Sequence, residues 1–265
     1  MHHIALGVEY DGHAFHGWQR QPGQRSVQQT LEQALSKIAD QPVKVTAAGR
    51  TDAGVHATQQ VAAFTTPAKR PDSAWIRGTN SLLPDELSVR WAVPVPADFH
   101  ARYSATGRRY QYVFLEAERV PSIGRHYVTW SIARLDDAAM HAAAQQLIGE
   151  HDFTSFRSAS CQAKSPFRCV FAVAVRRFAD FVVLDITANA FLQHMVRNIA
   201  GALLQVGRGE RAVGWVGEVL TARNRNLVGA TAPPTGLYLV DVQYGTFELP
   251  RGEPPLILRA LGDVW

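Results

Sequence analysis

Large apolar residues recur with two different periods along the first hundred residues, and each period predicts a different element. Over 3–10 they stand at every second position, which predicts a strand because successive side chains of a strand point to opposite faces. Over 27–40 they recur every three or four positions, which predicts an amphipathic helix, and Ser26 and Gln29 have the spacing of a capping box at its start. Further strands are predicted at 43–48, 59–66 and 87–95, and a second helix runs from an Asp72 cap to Leu83. The order strand, helix, strand, strand, helix, strand is typical of a split βαβ unit.

A second series of elements in the same order follows. Its strands are predicted at 108–115, 169–178, 181–188 and 237–244, and its helices at 134–149 and 191–207. No sequence repeat can be aligned between the two series, so their relation rests on element order alone. We predict an α+β fold of two ferredoxin-like halves, residues 1–105 and 106–265. They are expected to share a mostly antiparallel sheet, with helices on one side and a central cleft.

Composition and charge narrow the functional classes. The chain of 265 residues has 46% hydrophobic residues, enough for a full core, and a net charge of +4. Most of its cations are arginine, which suits a polyanionic partner, although a modest positive balance is also common among soluble enzymes. Cys161 and Cys169 lack the spacing of a zinc site or a disulfide framework, and no signal peptide or membrane-spanning run is evident. We therefore expect a cytoplasmic protein that does not enter the membrane.

Several motifs of cofactor-dependent and hydrolytic enzymes are missing from the sequence. It contains no GxxxxGK[ST], no HExxH, no GxSxG, and no GxGxxG after a predicted strand. Nucleotide hydrolysis, zinc proteolysis, α/β-hydrolase chemistry and dinucleotide binding therefore have no support. We expect chemistry that needs neither a metal nor a small-molecule cofactor.

The stretch GRTDAGVH at 49–56 is the first candidate for chemistry. It lies on the predicted connection between two strands, where functional side chains are commonly displayed on a rigid scaffold. Flanking glycines allow the backbone to approach a ligand, so Asp52 can be aimed into a cleft. The alternative is an aspartate that hydrogen-bonds its own turn, and the local sequence favours neither. Arg50 is likewise either a functional group, an exposed cation or an ion-pair partner.

The predicted helix over 191–207 supplies the second candidate. Arg197 lies off its apolar stripe, which is formed by Phe191, Met195, Ile199, Ala202 and Leu203. A cation there either reaches solvent or phosphate, or pairs with a carboxylate across the boundary between the halves. His194 is interpreted as an ordinary helix residue and not as a metal ligand.

Two tyrosines share one face of the strand predicted at 108–115. Such a pair, Tyr110 and Tyr112, more often belongs to a core than to a platform for bases. Yet Arg108 and Arg109 directly precede them, and cations beside aromatic rings are what binding to unpaired bases uses. Further arginines stand at 168, 176, 177, 208, 211, 223 and 225; each is interpreted singly as an exposed surface residue, but together they could line a groove.

Six segments in one order carry a resemblance to a known family, and together they reach from Tyr10 to Tyr244. They are YDGHAFHGWQRQ, AGRTDAGVHATQQVAAF, FHARYSATGRRYQY, GEHDFTSF, AFLQHMVRNIAG and APPTGLYLVDVQY. The chain is similar in these segments to the tRNA pseudouridine synthase A family. The segment 117–131 and the tail after 245 match nothing distinctive.

The resemblance implies the pseudouridine synthase fold and a cofactor-independent isomerase. This enzyme would convert uridine to pseudouridine at nucleotide positions 38, 39 and 40 of the tRNA anticodon stem-loop, as a homodimer and without a metal. It also implies that Asp52 is the catalytic aspartate and that Tyr110 packs on the target base. By the same resemblance Arg197 pairs with the aspartate, and Arg50 is associated with flipping of the nucleotide. Whether the carboxylate forms a covalent adduct or removes a proton stays open.

Two other functional classes compete with this interpretation. A non-catalytic RNA-binding module is also built on a split βαβ sheet, although no stretch matches the [KR]-G-[FY]-[GA]-F-V-x-[FY] pattern. A hydrolase of glycosidic bonds would need a second carboxylate beside Asp52, and Asp11 and Asp152 are the possible partners.

Overall fold

A computed structural model describes residues 1–261 of the chain. Their contacts separate into two compact units. The first unit comprises Met1–Thr106 and Tyr238–Ala260, and the second comprises Gly107–Leu237, to which Leu261 also belongs.

The first unit is built on strands that run mainly antiparallel. Within residues 1–261 they are β1 (His2–Tyr10), β2 (Thr46–Ala47), β3 (His56–Thr66), β4 (Leu87–Pro94) and β10 (Leu237–Tyr244). Their order is β4-β1-β3-β10, with β2 paired to β3. Strand β1 is antiparallel to both β3 and β4, whereas β10 joins β3 in parallel, with Tyr238 opposite His56.

Of the two helices predicted in the first unit, one has nearly the predicted bounds and the other is shorter. Helix α1 (Val27–Ala39) begins where Ser26 Oγ accepts the Gln29 N–H at 3.4 Å, and it ends at Asp40, whose φ of 56° is left-handed. The prediction of this helix is confirmed. The second predicted helix is shorter, since its helical residues are 72–80 and Ala74–Gly78 form a π turn. A last short helix, α5 (Leu256–Arg259), was not predicted.

The second unit repeats the mixture of antiparallel strands and helices. Its strands are β5 (Ala105–Glu116), β6 (Thr129–Ser131), β7 (Gly149–Asp152), β8 (Phe167–Phe178) and β9 (Phe181–Ala188). They are ordered β5-β9-β8-β7, and β6 pairs in parallel with β5. Three of these strands were predicted from sequence; β6 and β7 are too short to show a period.

Among residues 107–237 the second unit has the α-helices α2 (Asp137–Gln145), α3 (Met195–Gly207) and α4 (Trp215–Ala222). Asp136 caps α2 by accepting the Ala139 N–H at 2.8 Å, so this helix is shorter than the predicted 134–149. Helix α3 begins four residues later than predicted, because His194 has a φ of 63°, which a right-handed helix cannot include. The sequence did not predict α4.

The bounds of the two units can be set beside those of the predicted halves. The change of unit between Thr106 and Gly107 lies one residue from the predicted boundary between 105 and 106. Residues 238–260, which the sequence assigns to the second half, pack with the first unit. The cause is visible in side chains of β3: Thr58 Oγ1 donates to the carbonyl of Glu253 at 2.6 Å, and Gln59 Nε2 donates to that of Pro250 at 2.5 Å. The division into an N-terminal half that carries the catalytic aspartate and a C-terminal half that carries the tyrosine and arginine of the site stays a prediction.

The predicted α+β class with mostly antiparallel strands is confirmed. In the described part of the chain, no helix has both the length and the apolar character needed to cross a bilayer.

Candidate active site

The segment carrying Asp52 forms a tight turn between β2 and β3. The Val55 N–H donates to the Asp52 carbonyl oxygen at 3.2 Å, and Gly54, with a φ of 78°, adopts the left-handed conformation that favours glycine. Asp52 is half-buried and Arg50 is exposed, whereas Thr51 between them is buried. The sequence therefore places the carboxylate at the first position of a turn, with a cation on the solvent side.

Buried groups hold the backbone that leads into this turn. The hydroxyls of Thr51 and Tyr10 share a hydrogen bond of 2.8 Å, and the Thr51 carbonyl accepts the Trp18 N–H at 3.1 Å. The fully buried Gln60 binds both backbone groups of Gly49, accepting its N–H at 3.4 Å and donating to its carbonyl at 2.7 Å. Because these partners lie on β1, β3 and the segment after β1, the turn is fixed from several sides.

The Tyr10 phenol is part of this buried support. Burial raises the pKa of Tyr10 to about 12, although its hydrogen bonds with Thr51 and Gln60 oppose the rise. Tyr10 is therefore protonated at neutral pH, and its hydroxyl stays available as a hydrogen-bonding group for Thr51.

At the other end of the motif, His56 connects the turn to the segment after β1. This histidine is buried, its ring stacks on Tyr238 with centroids 4.8 Å apart, and its Nδ1 accepts the Gly12 N–H at 3.1 Å. Asp11 Oδ1 lies 3.2 Å from the same nitrogen. The Nδ1 atom of His56 therefore has both a backbone N–H and a carboxylate oxygen close to it. Asp11 also caps its turn by accepting the His13 N–H at 2.9 Å.

The two tyrosines of β5 belong to the interior of the second unit. Tyr112 is completely buried, and its hydroxyl donates to the Pro233 carbonyl at 2.7 Å. Burial raises the pKa of Tyr112 above the ordinary value, while its hydrogen bond with Thr129 and then the positive charge of Arg197 oppose the rise. Tyr110 is 8% exposed and packs edge to face on Phe191, with ring centroids 5.0 Å apart. The structure thus places Phe191 against Tyr110 and not on α3, where the sequence put it.

Arg197 lies on α3 and is half-buried. Its Nε donates to the Ala232 carbonyl at 2.9 Å, and the Ala232 N–H donates back to the Arg197 carbonyl at 3.2 Å. This reciprocal pair fixes the side chain to the segment before β10. The pairing of Arg197 with Asp52 stays a prediction.

The arginines at the start of β5 are engaged within their own unit, a feature the sequence did not reveal. Arg109 Nε donates to Asp185 Oδ1 at 2.9 Å, and Gln111 donates to the same carboxylate at 2.9 Å. Arg108 is 8% exposed and donates to the Asn189 carbonyl at 2.8 Å. These contacts hold β5 on β9 and the residues after it, so a structural role accounts for the polar pattern that suggested base stacking. No signal in one sequence gives the register that brings Asp185 opposite Gln111.

The other candidate groups have partners of their own. Asp152 accepts the Thr154 N–H at 2.9 Å and lies 3.4 Å from Arg223. Burial opposes ionisation of Asp152, but these contacts outweigh it and hold its pKa below the ordinary value. The two cysteines are free thiols. Within residues 1–261, no three His, Cys, Asp or Glu side chains form a group that could bind a metal ion.

Comparison with known proteins gives a consistent result. The family model described as tRNA pseudouridine synthase matches residues 7–104 and 143–245. A "tRNA pseudouridine synthase A" of Pseudoalteromonas atlantica is 54% identical over 249 residues, which cover 94% of this chain and 95% of that protein. Proteins of the same name from Cronobacter sakazakii and Coxiella burnetii are each 52% identical, covering 98% and 95% of this chain and 96% and 97% of their own lengths. On this evidence the chain belongs to the tRNA pseudouridine synthase family.

Proposed function

We propose that the chain converts uridine to pseudouridine at nucleotide positions 38, 39 and 40 of the tRNA anticodon stem-loop. Membership of the family makes it an isomerase that acts on tRNA. The anticodon arm and its three positions are the finer part of the proposal. They are supported by relatives more than half identical over nearly the whole chain and named tRNA pseudouridine synthase A.

Asp52 is the proposed catalytic residue. The observation that carries this assignment is its turn, which Tyr10, Gln60 and the Trp18 backbone hold in place while the carboxylate itself stays half-buried. A carboxylate held rigidly beside the ribose can either attack the glycosidic carbon as uracil leaves or remove a neighbouring proton. The proposed role of Arg197 is to place a positive charge beside this carboxylate.

Tyr110 and Arg50 are proposed to act on the nucleotide itself. Tyr110 would pack on the detached base while it turns, a role suited to a ring whose orientation is set by its contact with Phe191. Arg50 is exposed two residues before Asp52, and a cation there can occupy the space left by a flipped nucleotide or bind its phosphate. Neither role requires a metal or a small-molecule cofactor.

The proposal includes a homodimer that works in the cytoplasm. It also requires binding to RNA phosphates, so affinity for tRNA should fall steeply as salt is raised. A flat salt dependence would count against this form of binding.

The decisive experiment is to assay pseudouridine formation on a tRNA transcript with Asp52→Asn. This change keeps the size of the side chain and removes its charge, and we expect the rate to fall by at least about a hundredfold while tRNA still binds. Asp40→Asn is the matched control: Asp40 is exposed at the end of α1 with a φ of 56°, a conformation that asparagine also adopts readily.

Each outcome separates the competing functions. Wild-type rates in Asp52→Asn would end the catalytic assignment. If Asp52→Asn leaves every measurable activity unchanged while Tyr110→Ala weakens RNA binding, the chain is a binding module. Release of free uracil would instead identify a glycosidic hydrolase.

A further inference from the structure

The second unit contains a pocket of about 270 Å³ between segments 120–130 and 233–235. It coincides with the part of the chain, 117–131, to which the sequence assigned no role. Its walls include the apolar side chains of Val120 and Val128, the rings of His126 and Trp130, and the guanidinium-bearing Arg125. We call it the 120–130 pocket.

Hydrogen bonds hold the walls of the pocket in place. Trp130 Nε1 donates to the Ala117 carbonyl at 2.8 Å, and Thr235 Oγ1 donates to the Val128 carbonyl at 3.1 Å. Gly236 directly follows the second wall segment, and a Cβ there would come within 3.1 Å of the backbone nitrogen of Thr129 in the first. The two wall segments are therefore packed closely against each other.

The size and lining of the pocket favour one kind of occupant. Its volume lies just below the range of about 300–1,000 Å³ that is usual for drug-sized ligands, so it suits a single flat group. An aromatic face among apolar side chains suits an unstacked base, and a guanidinium at the rim suits the phosphate attached to it. Arg125 is exposed and lines the pocket, so its positive charge is accessible to a polyanion.

We propose that the 120–130 pocket binds one unpaired nucleotide of the tRNA, with its base on Trp130 and its phosphate at Arg125. This inference rests on the proposed function in assuming a tRNA ligand. The nucleotide is not the uridine that reacts, because that uridine is assigned to Asp52 and Tyr110, and neither residue lines this pocket. The pocket thus binds a nucleotide other than the reacting uridine and helps to position the substrate.

The test measures binding in an Asp52→Asn background, so that tRNA is held without turnover. Replacing Trp130 by alanine removes both the ring and its hydrogen bond to Ala117, whereas Trp130→Phe removes the hydrogen bond and keeps a ring. We expect Trp130→Ala to weaken binding of a tRNA transcript about tenfold and Trp130→Phe to stay within about twofold of the parent. A purely structural role of the indole would weaken both variants alike and would overturn the proposal.

Salt dependence tests the phosphate contact. Arg125→Ala should lower the slope of log affinity against log salt by about 1, as expected for one lost phosphate contact. Ile132→Ala is the matched control, because Ile132 is 67% exposed, lies two residues from Trp130 and does not line the pocket. An unchanged affinity in Trp130→Ala, or an unchanged slope in Arg125→Ala, would contradict the assignment.

Different measurements test the 120–130 pocket and the proposed function. Pseudouridine formation by the unaltered protein tests the function, and the binding of Trp130 variants tests the pocket. A loss seen with full-length tRNA and also with the isolated anticodon stem-loop would place the bound nucleotide in that arm. A loss seen with full-length tRNA alone would place it elsewhere in the molecule.

Discussion

The hydroxyl of Tyr10 is a buried support of the turn that carries the proposed catalytic residue, and Tyr10→Phe removes this hydroxyl alone. The phenylalanine ring keeps the packing against Trp18, whose centroid lies 6.1 Å from that of Tyr10. The change deletes the 2.8 Å hydrogen bond to Thr51 and the weaker 3.5 Å contact with Gln60. Thr51 directly precedes Asp52, so the lost bond acts on the turn that carries the carboxylate.

The expected magnitude has two parts. Thr51 is 6% exposed, and leaving its hydroxyl without a partner should lower the free energy of unfolding by about 1–3 kcal/mol at neutral pH. The second part depends on pH, because burial raises the Tyr10 pKa from 10.0 to about 12, equivalent to about 2.7 kcal/mol. A raised pKa stabilises the fold below the unfolded value of 10.0, and this stability is lost as pH rises through about 12.

Urea unfolding of both proteins at pH 7 and at steps from pH 9 to 12 measures these quantities. The difference in unfolding free energy between wild type and Tyr10→Phe should be largest below pH 10 and shrink toward pH 12. Thr51→Val completes a double-mutant cycle, since the double variant removes both hydroxyls and leaves no orphan group. The coupling energy should be at least about 0.5 kcal/mol. The same variants should form pseudouridine more slowly, because the turn is less well held.

Equal stability of wild type and Tyr10→Phe across this pH range would refute the reasoning. A coupling energy of zero between Tyr10 and Thr51 would do so too, since it would mean that the two hydroxyls contribute independently. Full activity with reduced stability would confine the role of Tyr10 to folding.

Two further substitutions test other parts of the structure. Gly12→Ala places a Cβ 2.0 Å from the Val55 carbonyl oxygen, so we expect thermal unfolding to show that the free energy of unfolding falls by about 1–3 kcal/mol. The control is Gly49→Ala, which has open space around its Cβ and should leave the free energy of unfolding nearly unchanged. Burial opposes ionisation of Glu116, but the hydrogen bonds from Arg177 outweigh it and hold the Glu116 pKa below its ordinary 4.5. Ionised Glu116 should therefore stabilise the fold above about pH 4.5, and this stabilisation should be lost as pH falls through the lower pKa of the folded state. Glu116→Gln should remove this dependence on pH from the acid unfolding curve.

Local periodicity predicted those elements whose ends are also encoded locally. Helix α1 is an example, since Ser26 caps its start and Asp40 ends it in a left-handed conformation. Helix α3 shows the limit of the method. The apolar spacing continues through Phe191, but His194 adopts a φ of 63°, and the residues before it leave the helix. Non-glycine residues enter that region rarely, so no rule of spacing could have predicted the break.

In the candidate site too, local sequence predicts some features and not others. The turn of Asp52 could be predicted, because Gly54 and the polar residues of its motif encode it within a few positions. The supports of that turn could not, since Tyr10 lies 41 positions from Thr51 and Gln60 lies 11 positions from Gly49. Which strands bring such residues together depends on sheet order and register, and one sequence does not specify them.

The arginines show why composition alone overstates a binding surface. Their abundance suggested a groove for a polyanion, yet Arg109 is engaged by Asp185, and Arg177 lies 2.8 Å from Glu116 and 2.9 Å from Asp137. A guanidinium that already binds a carboxylate has its charge largely neutralised and few donors left for phosphate. The attraction for RNA must therefore come from a smaller set of exposed cations. The proposed sites use two of them, Arg50 two residues before Asp52 and Arg125 at the 120–130 pocket.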